Sequence, residues 1–308
     1  MVRGKSLPTI PSTLWLILAA CSSGPSTHVG GPCLANRTCD DGQVCDQTDP
    51  GGPICLDENG DLDGDGIPNG KDFCEHMAGG DHDEDLDGIG DECDACPIAK
   101  PPAQADADKD AVDSPCDPDP RTPGDKIILF NGFNASIADA KPAWKFQGGE
   151  AVVTPLAADS IEELVIPLSR ATNHMAILAG YRVDSIAAGA IEAEVAVASK
   201  TMLPLGTSQV QCGAARAGSS DAIVLQTAMN ESITNQNTKP VTNVFNSASQ
   251  YRVAEQLDGA MANCALVADT DANSGAIQLP SDGSAPTHAI LHVRGATVRF
   301  AYILVVAR

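Results

Sequence analysis

The sequence predicts a mainly β protein, with a C-terminal β-sandwich (jelly roll) preceded by an irregular, disulfide-linked repeat stalk. Three observations predict it. Residues 125–308 hold many short runs rich in Val, Ile, Leu and Ala, separated by turns at Gly, Asn and Pro. Residues 57–124 place Asp at alternate positions in three copies of one pattern. Eight of the 11 cysteines fall between Cys33 and Cys116, where apolar material for a core is scarce. That combination favours disulfides formed in an oxidising compartment.

The net charge of −22 is lopsided. Between Asp57 and Asp119 stand 21 acids and 3 bases, whereas the chain from Asp125 onward carries 16 acids and 12 bases. A carboxylate run this dense repels itself unless counter-ions neutralise it. Nucleic acid needs a basic surface, so it is not expected as a partner.

Residues 1–20 carry Arg3 and Lys5, then an apolar run from Leu14 to Ala20. This is the layout of a secretory signal, and it is too short to span a bilayer as a mature helix. Leu18-Ala19-Ala20-Cys21 resembles the bacterial lipobox. The resemblance implies cleavage before Cys21, lipidation of its sulfur and a membrane anchor, with Ser22 directing the protein to the outer membrane or cell surface. It also leaves ten cysteines, an even number. Residues 21–32 are small and polar and read as a flexible tether. Residues 33–56 space four cysteines as C-x5-C-x5-C-x9-C, without a C-x2-C pair or a histidine. Zinc is therefore not expected, and two disulfides in a small cysteine-rich module are, with three pairings open.

In residues 57–124, take Asp61 as position 1 of a twelve-residue loop. Asp63 and Asp65 are then positions 3 and 5, Gly66 is 6, Ile67 is 7, Asn69 is 9 and Asp72 is 12. Alternate residues bring oxygens to one side of a tight turn, and the glycine permits the bend. Position 7 can offer its carbonyl, and position 12 closes the shell. Hard oxygen ligands at these spacings suit Ca²⁺. A second register runs through Asp83, Asp85, Asp87, Ile89, Asp91 and Asp94. A third runs through Asp106, Asp108, Asp110, Val112 and Asp117. The starts lie 22 and 23 residues apart. The third copy is degraded: Ala111 replaces the glycine, and Ser114 at position 9 is a weaker ligand.

Pro68, Pro97, Pro101, Pro102 and Pro115 rule out flanking amphipathic helices. The stretches DLDGDGIPNGKDFC (61–74) and DLDGIGDECDACP (85–97) resemble thrombospondin type 3 repeats. The resemblance implies a structural calcium wire with little regular secondary structure. It also implies disulfides between successive repeats, Cys74 with Cys93 and Cys96 with Cys116. His76 and His82, beside the wire, are expected to be solvated.

In the C-terminal part, candidate strands run from Ile127–Phe130 to Thr297–Val306. Ile191–Val197 alternates, with one face buried. The last strand is apolar on both faces: Val298, Phe300, Tyr302, Leu304 and Val306 on one, Ile303 and Val305 on the other. That suits the interior of a sandwich. Cys212 and Cys264 both lie on candidate strands and are expected to pair. FNGFNASI (130–137), Trp144 and the ending LHVRGATVRFAYILVV (291–306) resemble laminin-G/concanavalin-like domains. The resemblance implies a jelly roll, in a group that includes carbohydrate binders, adhesion modules and glycosidases.

Catalysis gets little support. There is no G-x-S-x-G elbow. Glu192 and Glu194 share a strand face but lack a third acid in register, and they read as solvated. His174, His288 and His292 have no matching nucleophile. Trp144 reads as core. The sequence thus describes a calcium-binding surface lipoprotein whose β-sandwich meets a glycan or a surface protein. A purely structural envelope protein and a polysaccharide-acting enzyme are the alternatives.

Overall fold

The computed structural model describes residues 27–79, 82–100, 105–138, 140–268 and 275–308. The expected signal, the lipobox and Cys21 lie outside the described residues. Strands are numbered in chain order.

The cysteine-rich module is built on an antiparallel pair, β1 (Gln43–Asp46) and β2 (Ile54–Asp57). Its two disulfides are Cys33–Cys45 and Cys39–Cys55, one of the three pairings the spacing allowed. The acidic segment then runs to Gly124 with a single 3-10 turn at Asn69–Lys71 among the described residues. Cys74–Cys93 and Cys96–Cys116 link successive repeats.

The C-terminal part is a sandwich of two antiparallel sheets. One has the order β11 (Ser232–Val241), β10 (Ser220–Met229), β9 (Gly206–Ala217), β8 (Glu192–Leu203), β15 (His288–Arg294), β6 (Ile161–Pro167). The other has the order β14 (Gly275–Pro280), β13 (Met261–Ala268), β12 (Tyr251–Asp258), β7 (His174–Ile186), β16 (Ala296–Ala307), β5 (Glu150–Val153), β4 (Trp144–Gln147). β3 (Lys126–Asn131) pairs with the C-terminal half of β16. Between the sheets lies a continuous apolar core that includes Val195, Val197, Leu225, Val253, Leu291 and Phe300. Cys212 on β9 and Cys264 on β13 join the two sheets across it. Trp144 is buried there, its ring 5.9 Å from that of Phe300.

Two expectations for the last strand need correction. A β-bulge interrupts β16 between Phe300 and Tyr302. The extra residue shifts the side-chain parity by one. Val298, Phe300, Ile303 and Val305 therefore share the core face, while Tyr302, Leu304 and Val306 point the other way. That other face is not covered by a second sheet. Val112, Cys96 and Cys116 of the acidic repeats pack on it, against Ala176, Leu178, Tyr302, Leu304 and Val306. The repeats are thus not a stalk that stands clear of the sandwich. Burying Val112 on an apolar sheet face outweighs extension into water.

Candidate metal centres and a ligand groove

The three acidic loops share one hydrogen-bond plan. The Oδ1 atoms of Asp61, Asp83 and Asp106 accept the N–H of position 4, from Gly64 (2.8 Å), Leu86 (2.6 Å) and Lys109 (2.5 Å). Their Oδ2 atoms accept the N–H of position 6, from Gly66 (3.1 Å), Gly88 (2.7 Å) and Ala111 (2.9 Å). The N–H groups of Ile67, Ile89 and Val112 bond to the Oδ1 of Asp65, Asp87 and Asp110. The backbone at position 6 is left-handed in each loop, with φ 97° at Gly66, 93° at Gly88 and 74° at Ala111. The degraded third copy therefore folds like the others.

This plan leaves oxygens over. Ligand atoms of Asp61, Asp63 and Asp65 lie within 4.8 Å of one another. So do those of Asp83, Asp85 and Asp87, and those of Asp106, Asp108 and Asp110. Position 3 has a buried oxygen without a donor in every loop: Oδ2 of Asp63, Oδ2 of Asp85 and both oxygens of Asp108. At position 12, the Oδ2 atoms of Asp72 and Asp117 are buried without a donor as well. Each position-12 carboxylate, Asp94 included, feels the charges of positions 3 and 5 of its own loop. Burial, reinforced by neighbouring carboxylates, raises Asp85 to about 6 and Asp117 to about 6. Burial raises Asp94 to about 7, again with the charges of Asp87 and Asp85 adding to the shift. Buried carboxylate oxygens that lack donors and repel one another fit a hard divalent cation of the Ca²⁺ type.

Position 9 behaves differently from the ligand role expected of it. Asn69 accepts the N–H of Leu62 at 3.0 Å, and its amide donates to the Asp57 carbonyl at 2.8 Å. Asp91 accepts the N–H of Glu84 at 2.8 Å, and its other oxygen meets His82 Nδ1 at 2.8 Å. Both side chains close the loop on itself. His82 is accordingly not free in solvent, and His76 lies 3.3 Å from Asp46, tying the first loop to the cysteine-rich module.

A second feature lies on the sandwich. On β8, β9 and β10, residues opposite the core floor a groove of about 430 Å³. Its floor is small or apolar, with Ala196, Gly213, Ala215, Ala222 and Val224, and Gln211, Gln226, Gln236 and Glu194 rise around it. Glu192 and Glu194 are not merely solvated. Glu192 pairs with Arg294, and Glu194 Oε2 lies 3.2 Å from His292 Nε2. The other ring nitrogen, Nδ1, lies 3.2 Å from Glu163 Oε1. The hydrogen bond from His292 holds Glu163 below the usual carboxylate value and does the same to Glu194. Register brings the cluster together: β15 places His292 opposite Glu163 of β6, and Glu194 of β8 is its diagonal neighbour, two positions along from the directly paired Ala196.

No known protein family matches the sequence, and no curated protein matches it. Among solved structures, the chain is similar to the CBM2 module of a Lactobacillus casei BL23 phage J-1 evolved Dit. That likeness has 10% identity, covers 59% of this chain and 96% of that one, and has a TM-score of 0.43. Laminarinase from Flavobacterium sp. UMI-01 is similar at 8% identity, over 58% and 99% of the two chains, with a TM-score of 0.44. SCLam, a non-specific endo-beta-1,3(4)-glucanase from family GH16, is similar at 9% identity, over 59% and 91%, with a TM-score of 0.40.

Proposed function

We propose that this chain is a calcium-binding surface lipoprotein whose β-sandwich binds a neutral glycan in the groove over β8, β9 and β10. The observation that carries the calcium reading is the set of donor-less buried oxygens at position 3 of all three loops. Asp61, Asp63, Asp65 and Asp72 would hold one ion, Asp83, Asp85, Asp87 and Asp94 a second, and Asp106, Asp108, Asp110 and Asp117 a third. The ions are structural: they neutralise the wire that covers the outer face of β7 and β16. Titration of the metal-stripped chain with Ca²⁺, read by calorimetry, tests this. Saturable binding at micromolar to millimolar concentration is expected, and no heat at millimolar Ca²⁺ rejects the reading.

The glycan reading rests on the groove's chemistry. Its charges are paired internally, Glu194 with His292 and Arg216 with Asp221 at 2.5 Å. What remains are side-chain amides over a small-residue floor, which suit hydroxyl groups better than an ionic ligand. A glycan array probed with the calcium-loaded chain tests it, and loss of signal in Gln226→Ala or Gln236→Ala would assign binding to the groove.

A polysaccharide-acting enzyme is less well supported. A glycosidase needs one carboxyl group kept protonated beside a second that is ionised. Glu163 and Glu194, the carboxylates that flank His292, are both held low. The membrane anchor at Cys21 rests on the lipobox. Metabolic labelling with a fatty-acid analogue, abolished by Cys21→Ser, is the expected result.

A further inference from the structure

The third loop has a carboxylate that its repeat pattern does not supply. Asp110 Oδ2 accepts the N–H of Gly124 at 2.9 Å and that of Asp125 at 2.6 Å. The first loop makes a matching bond, from Gly79 to Asp65 Oδ2, also at 2.9 Å. In the third loop the bond pair folds the chain back so that Asp125, the residue before β3, comes in against the loop. Its carboxyl group sits beside that of Asp117 at hydrogen-bond range, and it feels the charge of Asp110. Asp125 is only 2% exposed, and its Oδ2 has no donor. Asp117 Oδ2 and both oxygens of Asp108 are in the same condition.

The nearby cations make their hydrogen bonds elsewhere, although the charge of Arg308 also reaches Asp125 and favours its ionised form. Lys126 donates to the carbonyl of Asp110, and Arg308 Nη1 lies 3.1 Å from Asp119 Oδ2. The positions equivalent to Asp125 in the first two copies are Gly80 and Pro102, so neither copy has this acid. As at position 9 of the other two loops, the Ser114 side chain is spent inside the loop, its hydroxyl donating to the carbonyl of Ala105.

We propose that Asp125 is a metal ligand from outside the repeats, which with Asp108 and Asp117 holds a hard divalent cation between the third loop and the sandwich. The proposal rests on the calcium reading of the loops and goes beyond it. Oxygens from the wire and from the first residue of the sandwich then share one ion, so the ion clamps the two together.

The test uses the full chain and Ca²⁺ alone, with calorimetric titration and thermal unfolding of wild type, Asp125→Asn and, as a control, Asp119→Asn. Asp125→Asn is expected to weaken one class of site at least about tenfold. It should shrink the rise in Tm that Ca²⁺ causes, while Asp119→Asn leaves both unchanged. If Asp125 merely shares a proton with Asp117, the variant changes only the calcium-free Tm and every affinity stays as in wild type, which overturns the proposal alone. A wild type that binds no Ca²⁺ overturns the reading of the loops as well. A measurement without any variant stands behind these: anomalous scattering from crystals grown with Mn²⁺ should place an ion in contact with the Asp125 carboxylate. An ion in the third loop that does not touch Asp125 rejects the clamp.

Discussion

A Cβ added to Gly180 would lie 2.6 Å from Cε1 of Tyr302. The two residues face each other across β7 and β16. The missing side chain makes room for the tyrosine ring over Gly180; the ring also stacks with Phe130 of β3 at 6.4 Å and joins the cluster beneath Val112. Burial pushes its hydroxyl up to about 12. Gly180→Ala forces the ring off the sheet and is expected to cost about 1–3 kcal/mol. Chemical denaturation measures the loss. A double variant that also carries Tyr302→Leu should recover part of it, and a loss unchanged by the second substitution would mean that the ring is not the obstacle.

On the proposed calcium reading, removal of the ions should uncover this face. Val112, Cys96 and Cys116 cover Leu178, Leu304 and Val306, and the carboxylates behind them repel one another once the ions leave. Chelator added to the calcium-loaded chain is expected to raise binding of an apolar dye and to open residues 105–124 to proteases, with the far-ultraviolet signal of the sandwich retained. Unchanged protease sensitivity would argue that packing alone holds the repeats in place.

The sandwich was legible in the sequence because its strands alternate, and the loops because position, not just composition, repeats. Less legible was anything decided across strands. The parity of β16 depends on a bulge, and no residue type announces it. β11, with SITNQNTKPV, lacks an apolar face because it is an exposed edge strand, so periodicity passes over it. Trp144 was expected in the core and lies there, but the strand it begins was not anticipated. His292 looked isolated because its partners Glu163 and Glu194 come from two other strands. Asp125 escaped the repeat pattern because it lies beyond the twelfth position of the third loop.

Strain at Ala111 offers a simple gain. Its φ of 74° lies in the left-handed region, where glycines stand in the first two loops. A Cβ there costs about 1–2 kcal/mol, offset in part by the greater freedom glycine loses on folding. Ala111→Gly is expected to stabilise the calcium-loaded chain by about 0.5–1 kcal/mol and to leave its fold unchanged. Equilibrium denaturation with and without Ca²⁺ checks it, and a destabilised variant would mean that the Ala111 methyl packs usefully.

Glu255 is only 1% exposed, on the core face of β12, and burial raises its carboxyl group to about 8. The folded state therefore holds a proton that the unfolded chain releases near 4.5. Where the native state binds more protons, stability falls as pH rises. The penalty should build from about pH 4.5 to about pH 8 and then level off. Glu255→Gln keeps the shape without the charge, so it is expected to gain on wild type steadily across that window. Parallel stability curves for the two proteins would show that the group is ionised at little cost.

The bridge of His292 between Glu163 and Glu194 gives the opposite kind of pH response. Both ring nitrogens face carboxylate oxygens, and only the imidazolium donates from both. Burial opposes the charged ring, but the hydrogen bonds to Glu163 and Glu194 together carry its pKa above the ordinary 6.5. The glutamates are held below 4.5 by the same bonds. Their contribution is present above pH 4.5 and is lost as pH falls through their lowered values. That of His292 is present below pH 6.5 and is lost as pH rises through its raised value. The bridge therefore stabilises most between those limits. His292→Gln should be weaker than wild type at about pH 5.5, with the gap closing toward about pH 9. Because Glu194 borders the groove, glycan binding should weaken over the same alkaline range in wild type and lose that dependence in the variant. A stability gap that stays constant from about pH 5 to about pH 9 would show that the ring is neutral and that one of its nitrogens faces a carboxylate without a proton between them.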